Sequence, residues 1–220
     1  MQRGFTSAPL LCTVDSQTVR RYWAARSGQF SPEYYAHYGP NDASEYIRRQ
    51  FETHLTRDTP ILELGCSSGR HLAHLHEHGF ENLVGIDVNE DAFAVMADAY
   101  PELRKTGSFH NTSIEEVIEE FETDRFGGVF SVQTLQHLHP DACWVFDELA
   151  RITREVLITV EIEHSIHSEA SDPGEVNYVD EECPLYYRDW EAIFTQRGFI
   201  ELEVKDKDHE KTRVFQAVCD

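Results

Sequence analysis

Lysine is scarce in this chain. Only Lys105, Lys205, Lys207 and Lys211 are lysines among nineteen basic residues, set against forty aspartates and glutamates for a formal charge of −21. No run of Lys or Arg occurs, so a nucleic-acid phosphate backbone would meet repulsion with no local basic patch to overcome it. Long apolar stretches are missing too: nothing approaches the eighteen or so residues that crossing a bilayer requires. The N-terminus carries no basic segment followed by a long apolar stretch and a cleavage site. The expectation is a soluble, cytoplasmic protein with no membrane partner.

The five cysteines, Cys12, Cys66, Cys143, Cys183 and Cys219, are widely spaced, odd in number and without a C-x-x-C pair. That pattern suggests neither a disulfide framework nor a zinc knuckle, and reduced thiols are the default. No internal repeat is present. A chain of 220 residues with 40% hydrophobic residues suits one α/β domain with a sizeable core.

What is present is concentrated in two short segments. Ile61-Leu62-Glu63-Leu64 runs into Gly65-Cys66-Ser67-Ser68-Gly69-Arg70, and Val84-Gly85-Ile86-Asp87-Val88-Asn89 follows about twenty residues later. An apolar run that stops at a small-residue turn and restarts as a helix, with a carboxylate closing the next apolar run, is how a doubly wound sheet grips a nucleoside. The turn lets backbone N–H groups approach a ligand, and the carboxylate can accept hydrogen bonds from both ribose hydroxyls. A dinucleotide site wants G-x-G-x-x-G around its pyrophosphate. Here only Gly65 and Gly69 are glycines, and Glu63 adds an acid suited to an ammonium group. S-adenosyl-L-methionine fits this turn better than a dinucleotide.

On these residues the chain resembles a class I S-adenosylmethionine-dependent methyltransferase, with Glu63, Gly65, Ser67 and Gly69 falling on the family's first motif. Ser67 stands where a central glycine is usual. The resemblance implies cofactor contacts from Glu63, Gly65, Cys66, Ser67, Gly69 and Arg70, with Asp87 on the ribose and Val88 and Asn89 beside the adenine and ribose. Ser113 and Ile114 would meet the adenine edge, and Ser131 and His137 would lie on the motif that ends the fourth strand. The even spread of acids and the preponderance of arginine resemble, in turn, proteins of salt-accumulating halophilic archaea.

Apolar runs ending near Leu64, Asp87, Phe109, Ser131 and Val160 alternate with segments of helical spacing such as Leu72/Leu75 and Val145/Leu149/Ile152. A helix around Tyr187–Gln196 and strands near Phe199–Val204 and Arg213–Val218 close the pattern. This predicts an α/β fold, a doubly wound, mostly parallel seven-stranded sheet with helices on both faces. The resemblance implies the order 3-2-1-4-5-7-6, last strand antiparallel. Residues 1–58 read as a largely helical cap. Residues 59–220 read as the Rossmann-like domain, with a polar lid insertion at about 164–184.

Ligands in open α/β sheets bind at the strand C-terminal edge, where long loops shape substrate choice. Tyr34, Tyr35, His37, Tyr38 and His164 are therefore the substrate-side candidates, although the tyrosines equally suit packing of the cap onto the domain. His137 is the candidate base, its alternative a histidine that braces the loop under the cofactor. His71, His74 and His78 share a helical face and read as polar surface rather than as metal ligands; no metal is expected. Three classes remain. The leading one is a methyltransferase acting on oxygen or nitrogen of a small molecule, beside a methyltransferase-like protein that holds cofactor without turnover and a nicotinamide oxidoreductase. The oligomeric state is not legible.

Overall fold

The computed structural model describes residues 14–163, 176–180, 183–207 and 209–218. Its centre is built from strands whose sequences run apolar without alternation: β1 (Ile61–Leu64), β2 (Leu83–Asp87) and β4 (Phe126–Val132), each buried almost throughout. Strands covered by helices on both faces read this way. With β3 (Ser108–Asn111), β5 (Thr153–Ile162), β8 (Phe199–Lys207) and β9 (Glu210–Ala217), they form a seven-stranded sheet in the order β3-β2-β1-β4-β5-β9-β8. β9 runs antiparallel to both β5 and β8, and the pairs from β3 to β5 are parallel. This is the topology expected from the sequence. Its last two strands are renumbered because β6 (Val176–Asp180) and β7 (Cys183–Tyr186) pair as a separate two-stranded ribbon. The segment expected to be a polar lid thus contains a ribbon, and His164 lies outside the described residues.

Alternation along the strands divides the core between the two faces. On one face Leu62, Val129, Leu157 and Phe215 pack with Phe146 and Leu149 of α8 (Val145–Ile152) and with Trp190 and Phe194 of α9 (Trp190–Thr195). On the other, Ile61, Phe130, Ile158 and Val214 pack with Leu72 and Leu75 of α4 (Arg70–Glu77) and with Ile47 and Phe51 of α3 (Asp42–His54). Ile47 and Phe51 stand four apart, so one helical stripe faces the sheet. α3 thereby packs on the sheet. Its N-terminus is closed by a capping box in which Asn41 and Ser44 exchange side-chain to backbone hydrogen bonds.

Register sets up the site. Leu64 pairs with Ile86 on one side and Ser131 on the other, and Ile86 pairs with His110. Gly65, Asp87, Asn111 and Val132 consequently leave the sheet at one edge. Over that edge lie α1 (Ser16–Ala24) and α2 (Pro32–Tyr38), capped by Asp15 and Ser31, whose side chains accept from Thr18 N and Tyr34 N. α5 (Glu90–Ala99), α6 (Pro101–Thr106) and α7 (Ile114–Val117) complete the helices before β4. No helix among the described residues is long and apolar enough to cross a membrane.

Candidate functional site

The turn after β1 alternates hand. Gly65, Ser67 and Gly69 have φ of 68°, 47° and 79°, so every second residue is left-handed. Ser67 adopts the conformation that a glycine would take at no cost. Its backbone N–H donates to Asp87 Oδ2 at 2.8 Å, and Asn89 N donates to Asp87 Oδ1 at 2.8 Å. The turn after β1 and the end of β2 are thus locked to one carboxylate. Gly65 is required by space as well as by φ, since a Cβ there would fall 2.2 Å from Thr134 Oγ1 in the loop after β4.

A cleft runs along this edge and is lined by Glu63, Gly65, Cys66, Ser67, Arg70, Asp87, Val88, Asn89, Ser113 and Ile114. All ten are residues that the sequence points to for a cofactor. Two others of that set lie beneath the cleft rather than on its wall. Gly69 is the left-handed N-cap of α4 and abuts Met96, while the hydroxyl of buried Ser131 donates to Glu161 Oε1 at 2.6 Å. Burial drives the Glu63 carboxyl well above its ordinary pKa, with the positive charge of Arg70 pulling the other way and Asp87 adding to the rise. Asp87 is also raised by burial, against the hydrogen bonds from Asn89, Ser67 and Val88. Desolvation likewise pushes the Cys66 thiol up, which makes it a packing residue rather than a nucleophile.

The cap supplies the roof: Ser16, Val19, Arg20 and Trp23 from α1, followed by Arg26, Phe30, Pro32 and Tyr35. Of the substrate-side candidates among the described residues, only Tyr35 lines the cleft, its ring 4.6 Å from the Arg70 guanidinium carbon. Tyr34 packs between Phe30 and Tyr38. His37 and Tyr38 are exposed on the far side of the short α2, Tyr38 by 64%. Positions 34, 35, 37 and 38 spread around the helix, so they cannot all face the same cleft. Sequence reasoning missed Arg20, Trp23 and Arg26. The spacing Ser16/Val19/Arg20/Trp23 is one helical face, and that periodicity was the available signal.

The wall after β4 is a 3-10 turn, Leu135–His137. His137 is buried, its Nδ1–H donates to the carbonyl oxygen of Pro184 at 3.0 Å, and its Nε2 accepts from Gln136 Nε2 at 3.3 Å. Burial lowers its pKa to about 4. Both ring nitrogens are thus committed within the protein, and the ring packs 4.8 Å from Trp23. These contacts are the ones a histidine that braces the loop would make. The expected polar surface of α4 also needs correction. His71 is buried, with Nδ1 2.7 Å from Ser44 Oγ and Nε2 accepting from Arg70 Nε, whereas His74 pairs with Glu45 and His78 is exposed. Four helical positions separate His71 from Leu75, so it shares the inward face. No group of three potential metal ligands occurs among the described residues.

Among the described residues, three buried polar atoms in the cleft lining lack a hydrogen-bond partner: Trp23 Nε1 in the roof, and Glu63 Oε2 and Ser113 Oγ on the sheet side. Glu63 lies in β1 and Ser113 at the N-cap of α7, just after β3, with β2 between those two strands. An acid at one end, a hydroxyl and the Ile114 wall at the other, and Asp87 between them suit an elongated nucleoside with an ammonium tail.

Residues 61–155, a little under half of the chain, match the family model described as a methyltransferase domain. A comparison with curated proteins finds no match. Among solved structures, the chain is similar to 1,6-didemethyltoxoflavin-N1-methyltransferase of Burkholderia thailandensis, crystallised with 1,6-didemethyltoxoflavin and S-adenosylhomocysteine; the TM-score is 0.63 at 17% identity, over 81% of this chain and 78% of that one. Magnesium protoporphyrin IX methyltransferase of Synechocystis PCC 6803, with bound S-adenosylhomocysteine, aligns at TM-score 0.65 and 13% identity over 93% of this chain and all (100%) of that one. The [4+2]-cyclase SpnF aligns at TM-score 0.63 and 12% identity over 89% and 85%. At these identities the likeness is one of architecture, and the chain has the Rossmann-like methyltransferase fold.

Proposed function

We propose that this protein is an S-adenosylmethionine-dependent methyltransferase that acts on oxygen or nitrogen of a small-molecule acceptor. The observation that carries the reading is the joint placement of Glu63 and Asp87 in one cleft, on either side of the left-handed turn, within the segment that matches a methyltransferase domain. Bound there, S-adenosylmethionine supplies a sulfonium methyl group for in-line displacement. Glu63 accepts hydrogen bonds from the ammonium, Arg70 and Arg26 face the carboxylate end, Asp87 takes the ribose hydroxyls, and Ser113 and Ile114 hold the adenine edge. Alignment and exclusion of water are the main tasks of such a site. Val19 and Trp23 of the cap serve the second by closing over the cleft.

Relatives in fold that methylate a toxoflavin precursor and a porphyrin support a small planar acceptor. The acidic surface supports assay at high salt, and the absence of a basic run argues against nucleic acid. A second reading, cofactor binding without methyl transfer, is favoured by the committed nitrogens of His137 and by the likeness to a cyclase. Titration calorimetry with S-adenosylmethionine and with NADH, followed by transfer of labelled methyl groups into a metabolite extract at high salt, tests both. Heat with S-adenosylmethionine and a labelled product support the proposal. Heat without product supports the second reading, and absence of heat overturns both.

A further inference from the structure

Behind the cleft lies a carboxylate that the cofactor reading does not use. Glu161, near the end of β5, is fully buried. Its Oε1 accepts from Ser131 Oγ at 2.6 Å, Leu135 N at 3.2 Å and Thr134 N at 3.4 Å, and its Oε2 accepts from Gln136 N at 3.2 Å. Three successive backbone N–H groups of the loop after β4 therefore converge on one anion. The opposite side of that loop is held by a cation: Arg188 donates to the carbonyl oxygens of Leu135, at 3.1 Å, and Leu138.

The gripped loop touches both other walls of the cleft. Thr134 sits on Gly65, and His137 packs against Trp23 of the cap. Gln136 adds a tie of its own, its Oε1 accepting from Ile162 N at 2.7 Å. A carboxylate with four donors and no exposure is a poor proton acceptor for a substrate, and well placed to fix geometry.

We propose that Glu161 is a positioning residue whose buried anion sets the Thr134–His137 turn, and through it the cofactor turn at Gly65 and the cap at Trp23. The only part of this inference that rests on the cofactor reading is its consequence for affinity. Burial pushes the Glu161 carboxyl up to about 7 against the hydrogen bonds it receives. The charged group facing it from the segment after β7 is Arg188, β9 places Lys211 opposite it in register, with its ammonium on Glu163 and Asp206, the loop itself carries the titratable ring of His137, and β4 contributes the neutral Ser131 hydroxyl. Protonation would replace an acceptor site with an O–H donor and loosen the three amides. When the loop loosens with the carboxyl still buried, only the amide hydrogen bonds that favour the anion are lost, so the loop is held above neutrality and slackens below it; unfolding of the whole chain, which solvates the carboxyl, has the opposite pH dependence.

The test uses the full chain, with Glu161→Gln and Glu161→Asp. Hydrogen exchange of the 133–138 amides, corrected for intrinsic rate, is followed from pH 6 to pH 8.5, and S-adenosylhomocysteine is titrated calorimetrically over the same range. In the wild type, protection of this loop should rise by about tenfold through neutrality while that of β1 and β2 stays level. Glu161→Gln should lose the pH dependence and bind S-adenosylhomocysteine about tenfold more weakly, and Glu161→Asp should restore part of the profile. Equal protection at both ends of the pH range in the wild type overturns the proposal, and this arm needs no variant to fold. A Gln variant with the wild-type profile overturns it as well. If the wild type gives no heat with S-adenosylhomocysteine, the cofactor reading fails while the exchange profile still decides the role of Glu161.

Discussion

The side-chain nitrogen of Asn89 lies 3.2 Å from the carbonyl oxygen of Trp23, and equally far from that of Arg26. Asn89 also caps α5 by accepting from Asp91 N, and its own N–H donates to Asp87 Oδ1. One residue thus joins the end of the cap helix to the carboxylate expected to take the ribose. Asn89→Ser should keep the helix cap and release the cap segment. The expected outcome is tryptic cleavage after Arg20, Arg21 or Arg26 accelerated by about tenfold, a loss of little more than one hydrogen bond in local stability, with the melting temperature nearly unchanged. Cleavage at the wild-type rate would show that the cap is held by its apolar contacts alone.

Glu63 leads to a prediction about protons. Its carboxyl is raised well above the ordinary range by burial, which favours the protonated form in the free protein. Pairing with an ammonium requires the anion, and cofactor binding should therefore release a proton. Affinity for S-adenosylmethionine should fall as pH falls, by up to about tenfold per pH unit while one proton is released. Calorimetry in phosphate and in Tris, which differ in ionisation enthalpy, reads the proton directly. Glu63→Gln should abolish most of the release and weaken binding by about ten- to a hundredfold, the worth of a hydrogen bond to a charged group. Identical heats in both buffers would exclude this coupling.

The turn itself offers a pair of opposite substitutions. Ser67 holds φ of 47° and Gly65 holds 68°. Ser67→Gly removes the left-handed penalty and should stabilise the fold by about 0.5–1 kcal/mol, after the entropy that glycine adds to the unfolded chain is set against it. Gly65→Ala adds both a φ penalty and a Cβ 2.2 Å from Thr134 Oγ1, and should cost about 2–4 kcal/mol. Gly65→Ala combined with Thr134→Ala should recover the steric part but not the φ part, so a double-mutant cycle in denaturant separates them.

These residues also show what could be read from the sequence and what could not. The strand order was legible through the family resemblance, and Glu63, Asp87 and Ser113 could be expected in one cleft because they lie in or just beyond neighbouring strands near one edge of the sheet. Ser67 was legible as a departure from glycine, and the structure shows the glycine-like φ kept regardless. Side-chain direction on short irregular elements was not legible. The four aromatic candidates of α2 scatter, His71 turns inward to Ser44, and Ser131 drops behind the cleft to Glu161. The clasp of Asn89 on Trp23 and the grip of Glu161 on the 134–136 amides span 66 and 25–27 residues of chain. No local pattern announces contacts of that range.

His137 and Glu161 make opposite contributions to acid stability, and variants can separate them. The His137 pKa is lowered to about 4 by burial, from an ordinary value near 6.5. The native state then binds fewer protons than the unfolded chain between these values, so this contribution is complete above about 6.5 and is lost as pH falls toward 4. It amounts to about 3 kcal/mol at most, since each tenfold change in proton affinity is worth about 1.4 kcal/mol. Glu161 is raised to about 7, so in the same window the native state binds more protons at this site. Its contribution is greatest below the ordinary carboxylate range and shrinks as pH rises to 7. The wild-type curve should therefore be flatter between about pH 4.5 and 6.5 than either group alone would make it. His137→Asn removes the rising component and should leave stability that declines with increasing pH across the window. Glu161→Gln removes the falling component and should leave stability that climbs. Urea unfolding at half-unit steps of pH reads both slopes, and parallel curves for the two variants would show that neither group carries the linkage assigned to it.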